Sequence, residues 1–532
     1  MQFDYVIVGG GSAGCVLANR LSANPNHRVC LLEAGPTDDN LLVTMPAGII
    51  ALMRSNKRNW RYYTTPQKHL NNRESYIPRG KMLGGSSSVN AMVYTRGHKW
   101  DYDHWAALGN EGWGWDDVLP WFKKSENNAR GADAFHGVGG NLNVSDLTFS
   151  HPVSQAFVDA FVEAGYPATR DFNNDVQEGV GLYQVTQIGG ERSNVARGYL
   201  TPILDRPNLT VLTDCLVSRV LMDGKRATGI EYVTAGRTQK IEAGNVILSA
   251  GAINSPQLLL LSGIGAKEQL APHGIQQIHD LPGVGQNLQD HPDALVVQHS
   301  KRHDTLSLGP SYLFTKGIKG LYDYFSKRQG PLTSNVAEAG GFIKSQASEE
   351  IPDLQLHLSG CLLDQHGLNL PFSFGWGYSA HVCILRPKSR GFVGLKDANP
   401  ATPAIIDPNM LADPDDMERL LRGVKIVRDA MQRPALSSWR ADEIFPGDKA
   451  QSDDDLREFI RNKAETIYHP VGTCKMGKDD MAVVDSNLKV HGLDGLYVID
   501  ASIMPTLIGG NTNAPTVMIA EKAAEGILAA KG

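Results

Sequence analysis

Three things are scarce in this chain of 532 residues. The first is cysteine. The six, Cys15, Cys30, Cys215, Cys361, Cys383 and Cys474, are scattered and form no C-x-x-C pair. That argues against a disulfide frame and against a zinc site, so reduced thiols in a cytoplasmic compartment and no bound metal are expected. The second is a long apolar run: none approaches the roughly 20 residues of a membrane span. The first residues carry no charged leader ahead of an apolar stretch, so no secretory signal is expected; peripheral contact with the inner membrane stays open. The third is a basic tract. With 51 Lys and Arg against 57 Asp and Glu the net charge is −6, and a nucleic-acid partner is not expected.

Glycine, by contrast, is plentiful, with 55 residues. Three of them set the frame of the N-terminus. The run Phe3-Asp4-Tyr5-Val6-Ile7-Val8 reads as a buried strand, and Gly9, Gly11 and Gly14 follow in a G-x-G-x-x-G spacing. Residues 12–23 have helical apolar spacing, and residues 28–33 form a second apolar run ending in Glu33. This is a βαβ opening. Gly9 permits the tight turn, Gly11 lets a pyrophosphate approach the backbone, and Gly14 lets helix and strand pack closely. Ser12 and Ala13 open the helix, whose positive end faces the phosphates. Glu33 is placed to accept hydrogen bonds from a ribose diol and to repel a 2′-phosphate.

Further along, residues 209–233 hold two strand patterns around Asp223-Gly224, a hairpin signal. Residues 245–250 form another buried strand. Residues 300–465 are more aromatic, with alternation such as Asp353-Leu-Gln-Leu-His-Leu358. Residues 495–532 return to α/β texture, with a strand at 495–499 and a helix after Pro515. The expected fold is α/β, α+β overall: a doubly wound Rossmann-like cofactor domain and a substrate domain with a mixed or antiparallel sheet and flanking helices. The cofactor domain is expected at 1–155, at 156–299 (partly mixed with the substrate domain) and at 466–532. The substrate domain is expected at 300–465.

The stretch Gly80-Lys81-Met82-Leu83-Gly84-Gly85-Ser86-Ser87-Ser88-Val89-Asn90 resembles the first signature of the glucose–methanol–choline oxidoreductases. Gly251-Ala252-Ile253-Asn254-Ser255-Pro256, continuing to Ser262-Gly263-Ile264-Gly265, resembles the second. Residues 283–292, with Asn287-Leu288 and Asp290-His291-Pro292, also resemble family text. The resemblance spans nearly the whole chain and implies FAD rather than NAD. It implies that Gly84, Gly85, Asn90, Ala91, Met92 and Val93 lie along the flavin and pyrophosphate, with Val217 against the adenine. Ala250, Gly251, Tyr468, Asp500, Ala501, Asn513, Pro515 and Thr516 complete the implied cofactor contacts. Family members that bond FAD covalently carry a histidine where this chain has Val89, so non-covalent FAD is expected.

Alcohol oxidation needs a base for the hydroxyl proton and an acceptor for the carbinol hydride. A histidine titrates near neutrality and suits the first task. His469, in Tyr468-His469-Pro470-Val471-Gly472-Thr473-Cys474, matches the family's catalytic base. By the same resemblance Asn513 is the second active-site residue; an amide donates to the substrate oxygen but cannot act as a base. Glu338 and His357 are further substrate-side candidates. The resemblance leans towards bacterial dehydrogenases of primary alcohols, which pass electrons to a quinone or other acceptor rather than to oxygen. Choline dehydrogenase is the main alternative, and Phe374, Trp376 and Tyr378 are its candidate aromatic cage. An oxygen-using alcohol oxidase and a non-redox lyase are the others. Leu385, where the light-driven decarboxylases carry cysteine, speaks against that branch.

Overall fold

The computed structural model describes residues 2–529. Its first sheet is built around the strand Gln2–Val8, parallel to Val29–Leu32 on one side and to Arg237–Leu248 on the other. Leu209–Leu212 extends it beside Val29–Leu32, and Leu496–Val498 beside residues 246–248, again in parallel. Strands with both faces covered need no polar side, which is why residues 29–32 read as unbroken apolar sequence. Arg237–Leu248 is shared. Its last residues serve the parallel sheet, while its start forms an antiparallel meander with Arg226–Thr234 and Leu216–Asp223. The expected strand at 245–250 is thus the end of a longer one, whose polar first half sits at the exposed meander.

The helix Ser12–Leu21 packs against the C-terminal helix Asn513–Ala529. Two contacts fasten them. Ser12 Oγ donates to Asn513 Oδ1 at 2.7 Å. Arg20 pairs at 2.6 Å with Glu521, whose side chain is fully buried. Each pair joins residues 501 positions apart, so the two ends of the chain meet in space as the motif positions require.

The second sheet is antiparallel throughout. Its order is Arg440–Phe445, Pro292–Ser300, Gly377–Ile384, Leu354–Ser359, Ala337–Ile343 and Gly179–Leu182. Glu465–Thr466 pairs with the start of Pro292–Ser300. Two of these strands lie before residue 300, and the helix Pro152–Glu163 packs on this sheet. The second sheet therefore draws strands from 156–299 as well as from 300–465.

Alternation decides what this sheet offers. Leu354, Leu356 and Leu358 are fully buried in a core shared with the helix Pro414–Met431, each worth about 1.5–3 kcal/mol of transfer free energy. The intervening Gln355, His357 and Ser359 must point to the opposite face. Asp293 and Leu295 lie on that face of Pro292–Ser300, and His381 on that face of Gly377–Ile384, across from Asp293 at 2.7 Å. The second sheet thus turns a polar, histidine-rich surface towards the first domain.

Candidate active site

A long cleft runs from the G-x-G-x-x-G turn to the polar face of the second sheet. At its first end the loop after Val8 is shaped by glycine. Gly9 has φ +104, and a side chain there would strike Ser249 O at 2.6 Å. A Cβ on Gly14 would stand 1.9 Å from Gly9 O, so this glycine sets the approach of helix to strand. Gly11 differs: a Cβ there meets nothing closer than 3.9 Å, and on Gly251 nothing within 4 Å. Both positions face open cleft, so a phosphate can come up to bare backbone. The N-terminal turns of Ser12–Leu21 and Asn513–Ala529 open on the same space through Ser12, Ala13, Asn513 and Thr516. Two positive helix ends converging there favour a diphosphate.

Glu33 walls the cleft at the end of Val29–Leu32. Its carboxylate oxygens accept from Gly10 N at 2.9 Å and Gly35 N at 2.8 Å. Burial raises its pKa to about 7, against the lowering effect of those amides. Asp500 is similarly engaged: its carboxylate accepts from Gly251 N at 2.8 Å, Ser255 Oγ at 2.6 Å and Ser502 N at 2.8 Å. It fixes the start of the helix Gly251–Leu261 against the strand Leu496–Val498. Of the remaining expected cofactor residues, Gly85, Asn90, Ala91, Met92 and Val93 line the cleft, as do Val217, Ala250, Gly251, Tyr468 and Ala501. Gly14, Gly84 and Pro515 do not; the two glycines shape the walls from behind. Gly84 holds φ +82 and donates its N–H to Gly10 O at 2.7 Å. Val89 also lines the cleft and carries no nucleophile.

At the other end stands His469. Its loop is held by the buried carboxylate of Asp290, whose Oδ1 accepts from His469 N and from His291 N, each at 2.8 Å. Oδ2 of Asp290 accepts from Thr466 Oγ1. The preceding residue, Tyr468, sits at φ +75. That conformation is costly for a bulky side chain and persists because Arg79 bonds its carbonyl and His366 Nδ1 its hydroxyl, the latter at 2.6 Å.

The hydrogen bonds around His469 settle its tautomer. Nε2 of His291 faces two carbonyl oxygens, Leu385 O at 2.9 Å and Ile508 O at 3.1 Å. Carbonyls only accept, so this nitrogen carries the proton. Burial lowers the His291 pKa to about 4, so the ring is neutral and its Nδ1 is an acceptor. Nδ1 of His469 lies 3.0 Å away and must donate. Nε2 of His469 is left with its lone pair, and Asn511 Nδ2 stands 3.2 Å from it. Burial, then the neighbouring His291, His357 and Arg79, push the His469 pKa well below 6.5. The ring is therefore a neutral base with its accepting nitrogen turned to the cleft.

Asn511 and Asn513 both line the cleft, and Asn513 makes no hydrogen bond to His469 among the described residues. It is the first residue of its helix, and its side chain is held by Ser12. The neighbour of His469 is Asn511, two residues upstream in the loop, where the chain is free to turn a side chain inwards. Asn511 Oδ1 in turn accepts from Thr95 Oγ1 and Gln355 Nε2, each at 3.0 Å. One expected placement needs correction: Glu338 does not face the cleft. Its carboxylate accepts from His151 N at 2.6 Å and Ser154 Oγ at 2.7 Å, tying down the start of Pro152–Glu163. His357 does line the cleft; burial lowers its pKa to about 3, and its Nδ1 has no hydrogen-bond partner among the described residues.

Asp293 and His381, which face the same chamber, stand in no motif that singles them out. Among the described residues no aromatic cage forms from Phe374, Trp376 and Tyr378. Trp376 stacks on His303, Tyr378 is buried with its hydroxyl on Gln298, and none of the three lines the cleft. The described residues contain no cluster of groups able to hold a metal.

A dinucleotide cleft ending at a neutral histidine and an amide defines a class, the flavin-type oxidoreductases of alcohols. The chain belongs to the GMC oxidoreductases, whose N-terminal part matches residues 3–293 and whose C-terminal part matches residues 387–520. It is 51% identical over 528 residues to an alcohol dehydrogenase (acceptor) of Pseudomonas putida, covering 98% of this chain and 95% of that protein. It is 44% identical over 538 residues to the mitochondrial choline dehydrogenase of Mus musculus, covering 98% of this chain and 89% of that protein. Among solved structures it resembles pyridoxine 4-oxidase from Mesorbium loti, with TM-score 0.89 and 34% identity over 98% of each chain.

Proposed function

We propose that this chain is an FAD-dependent dehydrogenase that oxidises a primary alcohol to an aldehyde and passes the electrons to a quinone or other acceptor than oxygen. The observation that carries the reading is the accepting Nε2 of His469, which faces the cleft and takes a hydrogen bond from Asn511 Nδ2 at 3.2 Å. The 51% identity to an acceptor-type alcohol dehydrogenase supports the choice of substrate and acceptor. The cleft fits FAD: bare backbone at Gly11 and Gly251, two helix ends and the buried Glu33 match the demands of a dinucleotide. Val89, without a nucleophile, supports non-covalent binding.

FAD, when bound, supplies the acceptor for the carbinol hydride. The protein does the rest. Asn511 Nδ2 donates to the alcohol oxygen and orients it. His469 Nε2 takes the hydroxyl proton as the carbinol C–H bond breaks, and the aldehyde leaves. His291 holds the Nδ1–H of His469 throughout, so the proton enters on the substrate side. Asp290 keeps the backbone of both histidines in register.

Choline oxidation is a second reading with one specific observation in its favour. Asp293 is buried on the chamber face, and its Oδ1 has no hydrogen-bond partner among the described residues. Such an oxygen suits a cationic or hydrogen-donating group at the far end of the substrate. An anaerobic comparison of hexanol with choline, read by loss of flavin absorbance, separates the two. Failure of every alcohol to bleach the flavin would remove both.

A further inference from the structure

The surface segment Pro310–Lys327 inverts the usual helix pattern. A surface helix normally turns its apolar stripe inwards. Here Phe314, Ile318, Leu321, Tyr322 and Phe325 recur at intervals of three and four and point outwards, exposed by 77%, 63%, 48%, 66% and 56%. Leu313, 49% exposed, adjoins them. The inner face is held by Tyr312, Gly320 and Tyr324 alone. So many large apolar side chains grouped on one exposed helix mark an interaction surface.

The charges around this stripe indicate what covers it. The chain carries −6 overall, yet residues 310–330 hold Lys316, Lys319, Lys327 and Arg328 against one acid, Asp323. Lys319 pairs with Asp323 and Arg328 with Glu191. Lys316 and Lys327 are exposed and form no salt bridge among the described residues. A second copy presenting the same cationic face would repel this one. An anionic phospholipid surface offers both complements at once, an apolar layer for the ring and alkyl groups and phosphates for the ammonium groups.

We propose that Pro310–Lys327 seats the enzyme on an anionic phospholipid bilayer, with Phe314, Leu321 and Phe325 in the headgroup–acyl boundary and Lys316 and Lys327 on lipid phosphates. The location suits exchange with a membrane. Pro331–Thr333, which follows the helix, packs on Pro46–Gly48, and the chain then runs directly into Ile49, Ile50 and Met53 of the cleft wall. The proposal deepens, and rests on, the reading of a quinone as acceptor, but its test is independent of turnover.

The holoenzyme is sedimented with vesicles of equimolar phosphatidylglycerol and phosphatidylcholine, and with phosphatidylcholine alone, at low and high salt. Wild type is expected in the pellet with the anionic vesicles and largely in the supernatant with the neutral ones. Phe314→Ser with Phe325→Ser should weaken partition about tenfold or more, and Lys316→Glu with Lys327→Glu should abolish the preference for anionic lipid. Turnover with a soluble dye and no vesicles should be unchanged in both variants, since these side chains are far out in solvent. That assay alone reports on alcohol oxidation, so its failure and the failure of docking are told apart. Wild type that stays in the supernatant with anionic vesicles overturns the proposal, as does a double-serine variant that binds like wild type. A dimer that the serine variant dissociates, without vesicle binding, overturns it in favour of a second copy.

Discussion

Asn511 Nδ2 lies 3.2 Å from Nε2 of His469, while Oδ1 of Asn513, two residues on, accepts from Ser12 Oγ at 2.7 Å. The two asparagines should therefore separate cleanly. Asn511→Ala should slow flavin reduction by alcohol by about tenfold to a thousandfold, the range for a lost donor to a reacting oxygen. Asn513→Ala should cost about 1 kcal/mol of stability through the lost hydrogen bond, with a smaller effect on rate. Anaerobic stopped-flow and denaturant melts on both variants check this. Equal rate losses would contradict it.

His469→Ala should keep FAD, since none of the cleft's phosphate end depends on it, and lose about a hundredfold to ten-thousandfold in flavin reduction. His291→Ala should also retain flavin and lower the reduction rate by at least about tenfold, because Nδ1 of His469 loses the acceptor that fixes its tautomer. Near-normal reduction in His469→Ala removes this residue as the base.

The rate should also report the depressed pKa of His469. A base whose pKa lies well below 6.5 is already deprotonated at neutral pH. The acid limb of kcat/KM should therefore fall below 6.5, with no loss between that value and neutrality. A limb centred at about 7 or higher that disappears in His469→Gln would count against a neutral buried ring.

Buried neutral histidines also cost stability in acid. His291 and His357 have folded values of about 4 and about 3 against 6.5 in the unfolded chain. Above 6.5 both states are neutral and nothing is contributed. As pH falls through that value the unfolded state takes up protons that the folded state refuses, so stability drops. Each histidine should contribute a loss of about 1.4 kcal/mol per pH unit down to its folded pKa. Urea unfolding of wild type and His357→Leu at several acidic pH values should show a shallower slope in the variant. Identical slopes would place His357 in water.

Gly11 and Gly14 belong to one motif yet should fail differently. Gly11→Val adds its methyl groups to open cleft, so the protein should fold and purify colourless. Gly14→Ala puts a carbon 1.9 Å from Gly9 O and should destabilise the domain itself, by about 1–3 kcal/mol or more. Flavin absorbance and Tm, measured together, distinguish lost binding from lost folding.

The sequence by itself determined the dinucleotide turn, its strand–helix–strand frame, the family and the histidine proposed as base. In each case the information is local: glycine spacing, apolar runs and short signatures need no distant partner to be read. It also implied that the two ends of the chain meet, because a cofactor grip and a catalytic group in one enzyme must lie together; that they meet helix against helix came from the structure. Tertiary structure alone decided the rest. Which of two asparagines bonds His469 depends on where the last helix begins: Asn511 lies in the loop before it, and Asn513, its first residue, bonds Ser12 instead. Glu338 and Asp293 are both buried carboxylates on strands. Only the packing of Pro152–Glu163 over one, and of His381 across from the other, sends the first into a helix cap and the second into the chamber. The tautomer of His469 is fixed by carbonyls contributed from Leu385 and Ile508, far apart in sequence, through the single ring of His291.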